Sequence, residues 1–145
     1  MLIVLEGCDG SGKTTIANNI KAILPHAEII HCTTETPNDF DFFSSLIEAS
    51  KERDIIADRF CYGQFVYQTP AERKLTPQQL TSLEVSMIAA GAKVIHVTAP
   101  VETIRQRLSW RREECPVGDI TDKYIDLFER TFIKPHLWWT GSDTD

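Results

Sequence analysis

Gly7-Cys8-Asp9-Gly10-Ser11-Gly12-Lys13-Thr14, near the amino end, constrains the fold more than any other stretch. The run follows the pattern G-x-x-x-x-G-K-[ST]. Before it stands a continuous apolar run, Leu2-Ile3-Val4-Leu5, which is how a strand buried on both faces reads. After it, Ile16, Ala17, Ile20, Ile23 and Leu24 fall on one helical face, and Pro25 stops that helix. A strand, a glycine-rich turn and a helix in this order point consecutive N–H groups inward at a positive helix end, which suits a phosphate chain. Lys13 is then placed to reach the β- and γ-phosphates of ATP, and the Thr14 hydroxyl to ligate magnesium. The expected ATP-binding residues are Gly7, Asp9, Gly10, Ser11, Gly12, Lys13, Thr14 and Thr15. A chance match in a glycine-rich turn is the competing reading, and the two correct flanks stand against it.

The rest of the chain continues the alternation of strand and helix. Strands are predicted at 27–32, 54–58 and 93–98, and helices at about 42–53, 61–68, 76–90, from 101, and 121–132. Thr76 before Pro77 suits a helix N-cap, and Gly91 suits the end of the same helix. This order implies a mostly parallel sheet of four to five strands covered on both faces, a three-layer α/β/α fold. With 145 residues the chain fits one domain, 1–145. The net charge of -6 argues against a nucleic-acid partner, which needs broad positive surface. No apolar run approaches the ~18–20 residues that span a bilayer, so no membrane partner is expected. The amino end reads as a strand and not as a signal peptide. Cys8, Cys32, Cys61 and Cys115 include no Cys-x-x-Cys pair, and free thiols in a cytoplasmic protein are the simplest reading.

From Ile3 to Thr15 the sequence closely resembles the opening of thymidylate kinases, which are P-loop nucleoside monophosphate kinases. That family carries an acid at the position of Asp9, and the resemblance implies that Asp9 meets the sugar hydroxyl of the acceptor nucleotide. A second match is Asp58-Arg59-Phe60, continuing to Tyr67-Gln68. By resemblance Asp58 holds magnesium through water, Arg59 grips the acceptor's α-phosphate, and Gly63, Gln64 and Tyr67 line the acceptor pocket. A bare surface ion pair is the competing reading for Asp58 and Arg59. The third match is the basic cluster Arg105, Arg107, Arg111 and Arg112, which resembles the arginine lid of nucleotide kinases, here a short lid around 105–118. Thymidylate kinases without a basic residue between Gly7 and Gly12 take their catalytic arginine from that lid, so Arg107 and Arg111 join Lys13 and Arg59 as candidate catalytic residues. A solvated helix face with Glu113 and Glu114 as partners is the alternative.

The resemblance thins in two places. Only Thr34-Glu35-Thr36-Pro37 echoes the family's Thr-Arg-Glu-Pro, without the arginine, and the stretch that follows is too short for the usual base-binding helix. Phe40, Phe42 or Phe43 can stack on a base or belong to the core. At the carboxyl end, Leu137-Trp138-Trp139 reads as a short edge strand, with Thr140-Gly141-Ser142-Asp143 bordering the adenine as the resemblance implies, or the two tryptophans as a cover for an open sheet face or a subunit contact. His96 reads as a core histidine. The expected activity is magnesium-dependent transfer of the γ-phosphoryl group of ATP to a deoxynucleoside monophosphate, dTMP by resemblance, in nucleotide biosynthesis. The resemblance also implies a homodimer. The rivals are a deoxynucleoside or polynucleotide 5′-hydroxyl kinase, with Asp58 as base, and a non-catalytic nucleotide-binding module.

Overall fold

β1 (Leu2–Glu6) runs through the centre of a five-stranded sheet, and every strand pairs parallel to its neighbours. The computed structural model describes residues 1–110 and 117–140. β3 (Ile55–Asp58) and β4 (Lys93–Thr98) flank β1, while β2 (Glu28–His31) and β5 (His136–Trp139) form the edges, in the order β2-β3-β1-β4-β5. Leu5 pairs with Asp58 and Glu6 with His96, so the carboxyl ends of the central strands finish together. Ligands of open α/β sheets bind at such ends, on either side of the point where the strand order reverses.

The alternation of side chains along β1 explains the two layers. Leu5, with Ile56 and Val97, turns toward Ile16 and Ala17 of α1 (Lys13–Ile23). Leu2 and Val4 turn the other way, into the larger cluster with Phe43, Leu83, Met87, Ile104, Tyr124 and Phe128. That cluster is supplied by α2 (Phe40–Ala49), α4 (Pro77–Ala89), α5 (Val101–Trp110) and α6 (Val117–Arg130). Each large aliphatic side chain buried here contributes about 1.5–3 kcal/mol relative to exposure. Asp39 caps α2 by accepting the Phe42 N–H, and Thr76 and Gln79 form a reciprocal capping box at α4, with Pro77 in its first turn. No helix among the described residues is long and apolar enough to cross a membrane.

Three elements differ from their sequence expectations. The helix expected at 61–68 is a 3-10 turn, Cys61–Gly63, and one helical turn, α3 (Gln64–Tyr67). α2 ends at Ala49 and not near Arg53: the Lys51 and Glu52 N–H groups reach back only three residues, to Glu48 O (3.2 Å) and Ala49 O (3.1 Å), so the chain tightens into a turn, and the Met1 ammonium takes Ser50 O (2.7 Å) and Arg53 O (2.9 Å) beyond it. Within the described residues α6 covers Val117–Arg130 and so is already helical before the expected Thr121, where Val117 and Ile120 extend by one turn the buried stripe of Tyr124, Leu127 and Phe128. The edge strand expected at the two tryptophans is present as β5, and all four of its residues are exposed.

Candidate active site

The turn between β1 and α1 is built by close approaches that no side chain would allow. A Cβ on Gly7 would stand 2.2 Å from the Val97 carbonyl oxygen, and Gly12 sits at φ 106 in the left-handed region. Lys13 opens α1 and is buried; its Nζ arcs back to donate to Gly7 O (2.9 Å) and Cys8 O (3.1 Å), across the mouth of the loop. Burial, then the nearby Arg59 charge, lowers the Lys13 pKa. The next residue, Thr14, donates its hydroxyl to Asp58 Oδ2 (3.3 Å), and His31 Nδ1 lies 3.1 Å from that same oxygen. The first turn of α1 and the ends of β2 and β3 thus deliver a hydroxyl, an imidazole and a carboxylate to one point.

Arg59 follows directly and takes φ 67, a conformation that side chains rarely adopt. Its N–H is held by Leu5 O at 2.8 Å. The guanidinium pairs with the Asp9 carboxylate, donates to Tyr67 Oη (3.2 Å) and lies over the Tyr67 ring, 4.4 Å from its centroid. Burial disfavours its charge, but Tyr67, Asp9, Tyr124 and Glu6 outweigh that, and the net effect is a raised pKa. Two clefts meet here. One, of about 220 Å³, is lined by Asp9, Gly10, Lys13, Thr14, Asp58 and Arg59 among others. The second, of about 120 Å³, is lined by Phe43, Gly63, Gln64, Tyr67 and Gln68, and shares Cys32, Thr33 and Arg59 with the first.

Most of the residues singled out from the sequence therefore come together. Asp9, Gly10, Gly12, Lys13, Thr14, Thr15, Asp58 and Arg59 line the first cleft, and Gly63, Gln64 and Tyr67 the second, while Gly7 and Ser11 are buried in the loop itself. Gln64 has its amide engaged: Nε2 donates to Asn38 O, and Oε1 accepts from Lys74 N (3.0 Å) and Leu75 N (3.3 Å). It fastens two loops around the cleft. Phe43 is a core residue, buried edge-on against Phe60 at 4.8 Å between centroids. Arg107 is not among the residues lining either cleft; its Nη1 donates to Gly10 O (3.0 Å) and to Thr140 Oγ1 (3.2 Å). Thr140 Oγ1 in turn stands 2.6 Å from Ser11 O, which ties the end of β5 to the loop. Arg105 is exposed, 4.0 Å from Glu102. Arg111, Arg112, Glu113 and Glu114 of the expected lid, and Gly141 to Asp143, lie outside the described residues.

Sequence reasoning missed Glu6, Tyr124 and His31. Glu6 is fully buried: Oε2 accepts from Phe60 N and Gly63 N (both 3.1 Å), and Oε1 from Tyr124 Oη (3.0 Å). Burial raises its pKa to about 7 despite those bonds. The available signal was a lone acid closing an apolar strand. His96 is a core histidine as expected, beside Tyr124 and Phe128, with its pKa pushed down to about 4 by burial and then by the Lys13 charge. Burial pushes the Cys32 thiol up to about 12.

No protein-family model matches the chain. It is 30% identical over 151 aligned residues to the SPbeta prophage-derived protein YorR of Bacillus subtilis (strain 168), covering 97% of this chain and 89% of YorR. The crystal structure of YorR in complex with phosphorylated GDP superposes with a TM-score of 0.83 at 28% identity, over 98% of this chain and 87% of that one. The deoxyadenosine kinase of M. mycoides, solved with dCMP and a flexible dCDP, gives a TM-score of 0.58 at 16% identity, over 100% of this chain and 92% of that one. Thymidylate kinase from Candida albicans gives 0.54 at 17% identity, over 97% and 84%. At these last two identities the likeness is one of fold, and the fold is that of the P-loop kinases. The strand-loop-helix around Lys13, the parallel sheet and the agreement along nearly its whole length place this chain in the family of the YorR protein.

Proposed function

We propose that the chain is a nucleoside monophosphate kinase that moves the γ-phosphoryl group of ATP onto a deoxynucleoside monophosphate, with dTMP the favoured acceptor. The observation that carries the reading is the position of Arg59 on the wall shared by two clefts, one lined by the phosphate loop and the other by Phe43, Tyr67 and Gln68. A guanidinium there offers a planar fork to the phosphate of an acceptor whose base enters the second cleft. An oxygen of that phosphate forms the new bond to the γ-phosphorus as the bond to the bridging oxygen of ATP breaks, giving ADP and a nucleoside diphosphate. The attacking oxygen is already anionic, so no general base is required. Lys13 offsets charge on the transferred group, and Arg107 and Arg111 are the lid cations assigned to it. The Thr14 hydroxyl and the Asp58 carboxylate, 3.3 Å apart, are hard oxygen donors that suit a magnesium ion retaining several waters; they would hold it, and it would neutralise phosphate charge. Asp9, paired with Arg59, is the residue assigned to the acceptor's sugar hydroxyl.

YorR is described in complex with phosphorylated GDP, so dGMP stands beside dTMP in the test. ADP release is followed with ATP and magnesium against the four deoxynucleoside monophosphates, nucleosides and 5′-hydroxyl oligonucleotides. Stimulation by a monophosphate, with Arg59→Ala raising the acceptor KM and lowering kcat, is the expected result. Turnover only with nucleosides or oligonucleotides would move the chain to the hydroxyl kinases, with Asp58 as base. ATP binding without any acceptor would make it a binding module.

A further inference from the structure

Glu6 stands one residue before the phosphate loop and lines neither cleft. A carboxyl group at a fully buried position is costly unless each oxygen finds donors, and a strand position that required only packing would carry an apolar residue, as Leu2, Val4 and Leu5 do. Both Glu6 oxygens are engaged, and the donors are particular ones. Phe60 N is the amide directly after Arg59, and Gly63 N lies just before α3, which carries Tyr67. The Arg59 backbone, in its rare left-handed conformation, is therefore held from both sides: its own N–H by Leu5 O, the next by Glu6. The third donor comes from elsewhere in the fold. Tyr124 is a fully buried residue of α6, and its ring meets Tyr67 edge-on at 6.2 Å between centroids.

We infer that Glu6 is a positioning residue for acceptor binding: its carboxyl group clamps the turn that presents Arg59, and the Tyr124 hydroxyl braces that carboxyl group from α6. The inference rests on the reading of Arg59 as the ligand of the acceptor phosphate. It makes the acceptor side depend on a residue that touches no substrate, and it joins that side to the helix that follows the expected lid segment.

The test pairs amide hydrogen exchange on the protein alone with steady-state kinetics, for Glu6→Ala, Glu6→Gln and Tyr124→Phe. Glu6→Ala should speed exchange at the Phe60 and Gly63 amides and raise the acceptor KM, each by roughly tenfold, the scale of one buried hydrogen bond. Exchange within α1 and the KM for ATP should not move. Glu6→Gln keeps an oxygen for the two amides, and Tyr124 can turn its hydroxyl to accept, so both properties should return toward wild type. Tyr124→Phe should shift them in the direction of Glu6→Ala by a smaller factor. Unchanged exchange at Phe60 and Gly63 in Glu6→Ala overturns the clamp, as does an equal rise in both KM values. Should Glu6→Ala not fold by circular dichroism, Tyr124→Phe decides: an acceptor KM equal to wild type overturns the inference. If the wild type phosphorylates no monophosphate, the function proposed above falls, and the exchange at Phe60 and Gly63 decides the clamp by itself.

Discussion

Two buried titratable groups draw the stability of this fold in opposite directions as pH changes. Burial raises Glu6 from its ordinary 4.5 to about 7. Burial, helped by the Lys13 charge, lowers His96 from 6.5 to about 4. Between pH 4.5 and 7 the folded chain keeps a proton on Glu6 that the unfolded chain releases, so the stability from this group is full below about 4.5 and lost as pH rises through 7. His96 has the opposite sign. The unfolded chain takes up a proton that the folded chain refuses, so its stability is full above 6.5 and lost as pH falls through 4. Each displacement, 4.5 to about 7 and 6.5 to about 4, corresponds to about 3 kcal/mol at about 1.4 kcal/mol per tenfold change in proton affinity. The two slopes oppose each other over the same window, and in the wild type they cancel between about pH 4.5 and 6.5. Glu6→Gln removes one of them. Its stability relative to wild type should therefore climb by about 3 kcal/mol between pH 4 and 7, whatever other groups titrate, because those are common to both proteins. His96→Gln should show the mirror image, falling by about the same amount relative to wild type as pH rises through this window. Urea unfolding at half-unit steps of pH, read by linear extrapolation, measures both difference curves. A Glu6→Gln curve parallel to wild type would refute the reasoning, since it would mean that the Glu6 carboxyl group titrates alike in the folded and unfolded chains.

Two further substitutions probe the loop. Gly7→Ala forces a methyl group to 2.2 Å from the Val97 carbonyl oxygen, so strand and loop must part; a loss of at least ~2 kcal/mol in thermal or urea unfolding is expected, together with loss of ATP binding. Lys13→Ala removes the cation but leaves the loop's backbone bonds, and ADP release should fall by roughly a thousandfold or more while the circular dichroism spectrum is kept.

Local patterns carried what was legible. The apolar run, the glycines and the amphipathic helix are contiguous, so the loop, α1 and the parallel sheet follow from neighbours in sequence. Asp58 and Arg59 stood out through the resemblance to thymidylate kinases, and their place at the end of a short apolar strand put Asp58 near the crevice. The Glu6 clamp was not visible, because its partners Phe60, Gly63 and Tyr124 come from distant parts of the chain and meet only once the sheet forms. Gln64 sits where a pocket residue was expected, yet it binds the backbone of Lys74 and Leu75 across the following loop, a pairing that helical spacing does not encode. Arg107 falls on the helix face expected of a lid cation, but its hydrogen bonds depend on where β5 brings Thr140. The phenylalanines of α2 were ambiguous by composition alone; Phe43 resolves into the core because Phe60 packs on it.

Trp138 and Trp139 are about half-exposed and immediately precede Thr140, whose hydroxyl oxygen lies against the Ser11 carbonyl of the phosphate loop. Two indoles in contact with solvent are thus coupled by a single residue to the backbone that would embrace a triphosphate. That placement makes the indoles an intrinsic optical reporter to be tested: emission near the sheet edge should change when nucleotide is titrated in, without attaching any dye, and a Trp138/Trp139 signal that does not move with nucleotide would refute the coupling.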